Sequence, residues 1–516
     1  MNGAESLVRS LLANGVDVCF TNPGTSEMHF VAALDHVPGM RCVLGLFEGV
    51  VTGAADGYYR MSGKPASTLL HLGPGLSNGL ANLHNAKKAF SGVVNIVGDH
   101  ATYHLKYDAP LTADIEGLAR PVSHWVKTSP TSAEIGQDGA LAVQAARQAP
   151  GQVATLILPA DTAWNEATEV AVALQPEPRK QVAADVVENA AKAIREARNP
   201  LLLVGGDALR AHNLEMAGRI AAKTGAMIMS EGFNSRLDRG AGRVQINRIP
   251  YVVELAQETL APYDKVIMIG AKPPVAFFAY PDKSSTLAPD SCEMVPLSAV
   301  EDDITRSLED LADALDARTT EPAGVAEPWR PELPTGGEIN PAGIAEVIGA
   351  LLPENAIVVD ESVTTGRQFF PTTAGAPPHV WMNNRGGSIG YGLPVAIGAA
   401  IACPDQKVIA LEGDGSAMYT IQSLWTMARE NLDITIMVFA NRSYNILRGE
   451  LTNVGVQNPG PRAVDMLTID RPDIGWVDMA RSMGVDGQKV SDLGALGRAF
   501  DDGLAHKGPY LIELEM

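Results

Sequence analysis

Apolar residues are distributed along the chain in two alternating ways. Some form unbroken runs: VDVCF, STLLHL, VVNIVG and VATLILP early, PLLLVGG, AMIMS and KVIMIG in the middle, and AIVVD, KVIALEG, ITIMVFA and PYLIELE late. Such Val/Ile/Leu runs, with no polar alternation, predict strands buried on both faces, as in parallel sheets covered by helices. Between them lie stretches such as VENAAKAIREA and IQSLWTMAREN, whose apolar residues recur every three or four positions and predict amphipathic helices. Two polar, proline-bearing stretches, EATEVAVALQPEPRKQVAA and ARTTEPAGVAEPWRPELPTGGEIN, read as linkers. The pattern predicts an α/β protein of three consecutive open, mainly parallel-sheet domains over 1–165, 183–317 and 338–516. No short-period repeat interrupts it. In such sheets ligands bind beyond the carboxyl ends of the strands.

Length agrees with the pattern, since 516 residues at roughly 150 per domain give about three domains. Hydrophobic residues make up 46% and charged residues 19%, the composition of a folded globular chain. Forty basic against sixty acidic residues leave a net charge of −20, which argues against a nucleic-acid partner but not against a small anionic substrate. Cys19, Cys42, Cys292 and Cys403 show no CxxC spacing and are expected to be free thiols in a reducing compartment. The opening MNGAESLVRSLLANG reads as an amphipathic helix with Glu5 where a signal peptide would be basic. The longest apolar run, Gly392 to Cys403, is too short to cross a bilayer. The expectation is a cytoplasmic protein with no membrane partner.

The late run KVIALEG ends on Gly413-Asp414-Gly415, followed by SAMYT. Asp414 could simply cap a helix beginning near Tyr419. The next run, ITIMVFA, ends on Asn441-Arg442-Ser443-Tyr444, and Asn441 follows Asp414 by 27 residues. That interval is one helix plus one strand, so both ends fall side by side on one sheet edge. A carboxylate, an amide oxygen and a nearby carbonyl are hard ligands suited to Mg²⁺, which completes its shell with phosphate oxygens. The glycines admit a diphosphate close to the backbone, and a helix N-terminus offers N–H donors.

These segments, LEGDGSAMYTIQSLWTMA and FANRSYNILR, resemble the cofactor domain of the thiamine-diphosphate-dependent decarboxylase and acetolactate synthase superfamily, its benzoylformate decarboxylase branch most closely. The resemblance implies thiamine diphosphate and Mg²⁺, with Asp414, Asn441 and the Ser443 carbonyl as metal ligands. It also implies cofactor contacts from Gly413, Gly415, Ser416, Tyr444 and, in VDESVTT, Thr364. Where the family carries two asparagines this chain has Ala440-Asn441, keeping the ligand. GLFEGVVTGAADGYYR matches the family's activating-glutamate segment. Glu48, otherwise a helix-start carboxylate facing solvent, would then share a proton with the pyrimidine ring and so help remove the C2 proton of the thiazolium. Ile389 in GGSIGYGLP falls at the position of the apolar wedge that bends the cofactor. The family places the glutamate and the diphosphate site in different subunits, which implies a homodimer as the minimum active unit and usually a homotetramer.

For the substrate, the resemblance points to Thr25 in FTNPGTSEM, at a position where a hydroxyl binds the substrate carboxylate. Taken alone, Thr25 or Ser26 would cap a helix. His71 in LLHLGPGLSNG stands two residues out of register with a proton-transferring histidine, and a lone histidine is more often structural. The middle stretch KPPVAFFAYPDK lacks the family's second histidine, with Ala279 nearest its place, so that proton-transfer group is either missing or supplied from elsewhere, by His104 or Tyr280. Ile446 replaces a small residue of the substrate pocket and would favour a short aliphatic chain over a phenyl group. Leu447 stands where pyruvate decarboxylase has a catalytic glutamate. HLKYDAPLTADIEGLARPVSHW lacks the glutamine-bearing segment of acetolactate synthases, and the middle block shows no firm FAD signature, so FAD is possible but not supported. The close on PYLIELEM leads us to expect no acyl-CoA substrate.

The reading expected is therefore non-oxidative decarboxylation of a small 2-oxo acid, with acetolactate-type condensation as the alternative. A silent cofactor-binding subunit would have no need of Glu48. A nicotinamide-dependent dehydrogenase would need a GxGxxG after its first strand, and none is present.

Overall fold

The computed structural model describes all 516 residues. The first sheet holds β1 (Val18–Asn22), β2 (Arg41–Leu44), β3 (Ala66–Leu70), β4 (Val93–Asp99), β5 (Trp125–Thr128) and β6 (Val153–Pro159) in the order β2-β1-β3-β4-β6-β5. Further along the chain come β7 (Pro200–Val204), β8 (Met227–Ser230), β9 (Leu237–Arg239), β10 (Asn247–Arg248), β11 (Lys265–Ile269) and β12 (Glu293–Ser298). Five of these form the second sheet, β10-β8-β7-β11-β12. The last third supplies β13 (Ile357–Glu361), β14 (His379–Asn383), β15 (Val408–Gly413), β16 (Ile434–Ala440), β17 (Asp486–Val490) and β18 (Tyr510–Glu515). With β9 they build the third sheet, β17-β18-β16-β15-β13-β14-β9. Every pairing is parallel except β14 with β9, where a strand from the middle of the chain closes the edge of the last sheet.

All eleven apolar runs read from the sequence are strands. Those not anticipated are mostly sheet edges: β2, β5, β10, β12 and β17 have one flank open and so carry polar residues. The interior strand β14, HVWMN, escaped notice because His379 and Asn383 break its apolar run. No helix is long and apolar enough to cross a membrane.

Two helices bring the first and third sheets together. Gly392–Ala402, GLPVAIGAAIA, is apolar on all sides and buried along nearly its whole length. It lies against Glu48–Ser62 with backbones in contact: a Cβ on Gly57 would fall on the Val395 carbonyl, and one on Gly398 on the Ala54 carbonyl. Val50, Val51 and Ala54 thus share one core with Val395, Ala396 and Ala399. This packing brings the start of Glu48–Ser62 to the loop that precedes Gly392.

Candidate active site

Strands β15 and β16 are neighbours, with Gly413 opposite Phe439, so Asp414 and Asn441 leave adjacent strand ends. Asp414 does not cap a helix near Tyr419. It is the first residue of a short helix, Asp414–Ala417, with Gly413 as the N-cap. Its carboxylate is buried and accepts only backbone N–H groups, from Gly415 at 2.8 Å and Arg442 at 2.6 Å. Burial raises its pKa, and those amides offset the shift only in part. The Arg442 guanidinium faces away, towards Asp473 at 3.0 Å and Glu515 at 2.9 Å. Asn441 Oδ1 accepts the Ser443 N–H at 3.0 Å. A buried carboxylate without a cationic side-chain partner, beside an amide oxygen and a turn of backbone, is a donor set that fits Mg²⁺. Gly415 lies under the Tyr444 ring, where a Cβ would come within 2.5 Å of Cε1. Ser416 is buried in the same turn, and Thr364 precedes the turn Thr365–Gln368 after β13, with a side chain that makes no capping hydrogen bond.

On the first sheet, Glu48 opens its helix but does not face solvent: it is 9% exposed and accepts the Asn78 Nδ2–H at 3.0 Å. A Cβ on Gly75 would lie 3.2 Å from Glu48 Oε1 and 3.3 Å from His71 Cβ, so the two side chains flank that glycine. His71 Nδ1 is 2.8 Å from Glu27 Oε2. Glu27 is 1% exposed, its Oε1 has no partner, and burial raises its pKa against the pull of His71. The same Oε2 accepts the Gly24 N–H at 2.8 Å. Glu27, rather than Thr25 or Ser26, therefore closes the turn Thr25–Glu27, because its longer side chain reaches back three residues to Gly24. The His71 ring lies against Gly24, and Thr25 is left exposed beside it. Glu27 was missed in the sequence, although FTNPGTSEM contains it, because its partner His71 is 44 residues away.

The loop carrying Ile389 links the two halves. Asn82 Nδ2 donates to Gly49 O at 2.8 Å and to Gly390 O at 3.2 Å, spanning from the residue after Glu48 to the residue after Ile389. Asn85 exchanges hydrogen bonds with Ser388, 2.8 Å to its carbonyl and 3.2 Å from its N–H. From the other side Glu361 accepts the N–H groups of Gly390 at 3.0 Å and Gly392 at 2.9 Å. Ile389 itself is half-buried. Burial pushes Glu361 up to about 7 despite those amides. Glu412 pairs with Glu361 across β13 and β15, is fully buried, and is driven well above the carboxylate range by burial and by Glu361. Two carboxylates facing each other away from water hold at least one proton between them.

Backbone strain clusters here too. Leu72 (φ 48°), Val363 (φ 50°) and Arg442 (φ 56°) occupy the left-handed region, next to His71, Thr364 and Asn441 respectively. For a β-branched residue such as Val363 this is a true outlier, of the kind retained where a site dictates backbone direction.

Ile446 is half-buried and Leu447 is 43% exposed on the helix Asn445–Asn453. The two groups considered for the missing histidine lie apart. Tyr280 sits beside Tyr251 in the middle domain, whereas His104 lies in an exposed turn between the rings of His100 and Tyr107.

Three parallel-sheet domains with these two clusters define a cofactor-dependent α/β enzyme, and comparison identifies the family. The description "Thiamine pyrophosphate enzyme, N-terminal TPP binding domain" matches residues 1–120, and "Thiamine pyrophosphate enzyme, C-terminal TPP binding domain" matches 362–514. A Mycobacterium tuberculosis protein named "Putative acetolactate synthase large subunit IlvX" is 49% identical over 100% of this chain and 99% of its own length. A benzoylformate decarboxylase of Pseudomonas aeruginosa is 28% identical over 98% of this chain and 97% of its own. The thiamine diphosphate-dependent 4-hydroxybenzoylformate decarboxylase of Rhodococcus jostii shares the fold with a TM-score of 0.87, at 24% identity over 100% of this chain and 99% of that one. The chain belongs to the thiamine pyrophosphate enzyme family, as a decarboxylase or acetolactate-synthase-like member.

Proposed function

We propose that the chain catalyses the non-oxidative decarboxylation of a small 2-oxo acid, with Mg²⁺ held by Asp414, Asn441 and the Ser443 carbonyl. The observation that carries this reading is the Glu27–His71 pair at 2.8 Å, with His71 flanking Gly75 together with Glu48. Loss of CO₂ leaves a carbon that must be protonated before an aldehyde can depart, and a histidine held by a buried carboxylate can deliver that proton from Nε2. When bound, thiamine diphosphate supplies the carbon nucleophile and the electron sink. Glu48 would share a proton with the pyrimidine ring of the bound cofactor, Ile389 would pack against its rings, and Gly413, Gly415, Ser416, Thr364 and Tyr444 would hold its diphosphate. The Thr25 hydroxyl orients the substrate carboxylate, and Ile446 and Leu447 bound the rest of the pocket. Non-oxidative decarboxylation has no redox step and so does not call on FAD. As the family resemblance implies, Glu48 of one copy would serve the diphosphate site of another, so the active unit proposed is a homodimer or a pair of dimers.

Acetolactate-type condensation is the second reading, favoured by the name of the Mycobacterium tuberculosis relative. The test is to incubate the purified chain with thiamine diphosphate, Mg²⁺ and 2-oxo acids from pyruvate to benzoylformate, and to identify the products. An aldehyde with CO₂ is the expected result. Acetolactate from pyruvate would move the chain to the second reading, and no product from any member would sink both.

A further inference from the structure

The helix Asn445–Asn453 carries Ile446 and Leu447, yet none of its nine residues is buried. It is tied by polar contacts to the middle domain. The Tyr251 hydroxyl donates to Glu450 Oε1 at 3.0 Å. Lys283 donates to Asn453 Oδ1 at 3.2 Å while paired with Glu254 at 2.7 Å. Glu450 comes four residues after Ile446, so both lie on one face of the helix.

An aromatic wall continues this contact. The rings of Phe233, Tyr251 and Phe277 form a triangle with centroids 6.3, 5.8 and 5.7 Å apart, and Phe278 adds a fourth at 4.9 Å from Phe277. Phe277 covers Gly387, where a Cβ would meet Cζ at 2.8 Å, two residues before Ile389. The wall thus reaches from the Ile389 loop to the helix face of Ile446 and Glu450. Burial first, then Tyr280 and Glu450, drives the Tyr251 pKa far upward, so its hydroxyl stays a donor. The hydrogen bonds from Tyr251 and, at 3.5 Å, from Asn453 Nδ2 both fall on Glu450 Oε1, and Oε2 takes part in neither.

We propose that Glu450 is a specificity-determining residue, and that the substrate is a 2-oxo acid whose far end carries a hydrogen-bond donor received by Glu450 Oε2. This rests on the 2-oxo-acid reading of the site and names the substrate class within it. A hydrocarbon end would place nothing opposite Oε2 of this half-buried carboxylate, whereas a hydroxyl or ammonium group would pair with it. The aromatic wall accommodates the apolar body of such a substrate, and the carboxylate receives its tip.

The experiment compares matched pairs on the enzyme loaded with thiamine diphosphate and Mg²⁺. One pair is benzoylformate and its ring-hydroxylated form. A second set is a straight-chain 2-oxo acid with a methyl, hydroxyl or ammonium end. The expected result is a preference of at least about tenfold in kcat/KM for the donor-bearing member. Glu450→Gln keeps an acceptor for Tyr251 while removing the charge. It is expected to retain the preference for a hydroxyl and lose that for an ammonium group. Glu450→Leu is expected to bring each ratio to about one. A tether without contact to substrate would lower both members of a pair alike, which overturns the proposal. Calorimetric binding of the corresponding 2-hydroxy acids gives the same comparison without turnover. Absence of turnover would therefore sink the decarboxylase reading, whereas equal binding of both members by the parent would sink the role of Glu450.

Discussion

Asp414 lacks any cationic side-chain partner although it is buried, and that imbalance sets what its removal should do. Asp414→Ala is expected to weaken cofactor retention at least about 100-fold, read as thiamine diphosphate remaining after gel filtration in Mg²⁺. Retention equal to the parent would show that the metal does not sit there. In the proposed site Glu48 acts at the other end of the cofactor, so Glu48→Gln should bind it within a few-fold of the parent while turnover falls about 10²- to 10⁴-fold. Proton exchange at C2 separates the two effects, and an unchanged exchange rate would remove Glu48 from its role. Both residues were legible in the sequence because each sits inside a contiguous motif. Glu27 was not, since its meaning depends on His71, and Asn82 was not, since Gly49 and Gly390 come together only in the fold. A carboxylate or amide whose partners are remote in sequence looks like any other turn or helix residue.

Strands were legible where both faces are buried and faint where one edge is open, which is why the central β1, β3, β4, β7, β15 and β16 stood out and β2 and β17 did not. What strand reading could not show is that Glu361 and Glu412, each the polar residue at the end of an apolar run, face each other across β13 and β15. Their pairing has a consequence for stability. Glu361 takes up its proton at about 7 in the fold and near 4.5 when exposed, so the folded chain binds that proton more tightly. Its contribution is full below about pH 4.5 and is lost as pH rises through about 7. Melting temperature should therefore fall between pH 5 and pH 8, against the usual trend for carboxylates. Glu361→Gln removes the titrating group while keeping its shape, and should flatten that fall. Parallel melting curves for parent and variant across this range would show that Glu361 does not take up a proton there.

At the scale of the molecule, the first and third sheets act together only if the contact between Glu48–Ser62 and Gly392–Ala402 holds. That contact is made by glycines: Gly57 against the Val395 carbonyl and Gly398 against the Ala54 carbonyl. A side chain at either position meets backbone, which cannot rotate out of the way, so the helices must separate. The displacement would then reach the site, because the loop of Ile389 leads into Gly392 and is tied through Asn82 and Asn85 to the neighbouring helix Leu72–Ala89. The sequence showed GAADGYYR and GYGLP as separate family segments, and only the fold shows that one is the seat of the other. Gly57→Ala is therefore expected to cost at least about 1–3 kcal/mol by overpacking. It should also weaken thiamine diphosphate binding, although Gly57 itself has no place in the proposed site. Gly449→Ala is the matched control: it lies within the helix Asn445–Asn453 with nothing within 4 Å of a new Cβ, so helix propensity should leave stability unchanged or raised by up to about 1 kcal/mol. Melting curves with and without the cofactor measure both effects. If Gly57→Ala melted like the parent and bound cofactor equally well, the two helices would not be the joint that sets Glu48 against the Ile389 loop. If it lost stability but bound cofactor normally, the joint would hold the domains without transmitting position to the site.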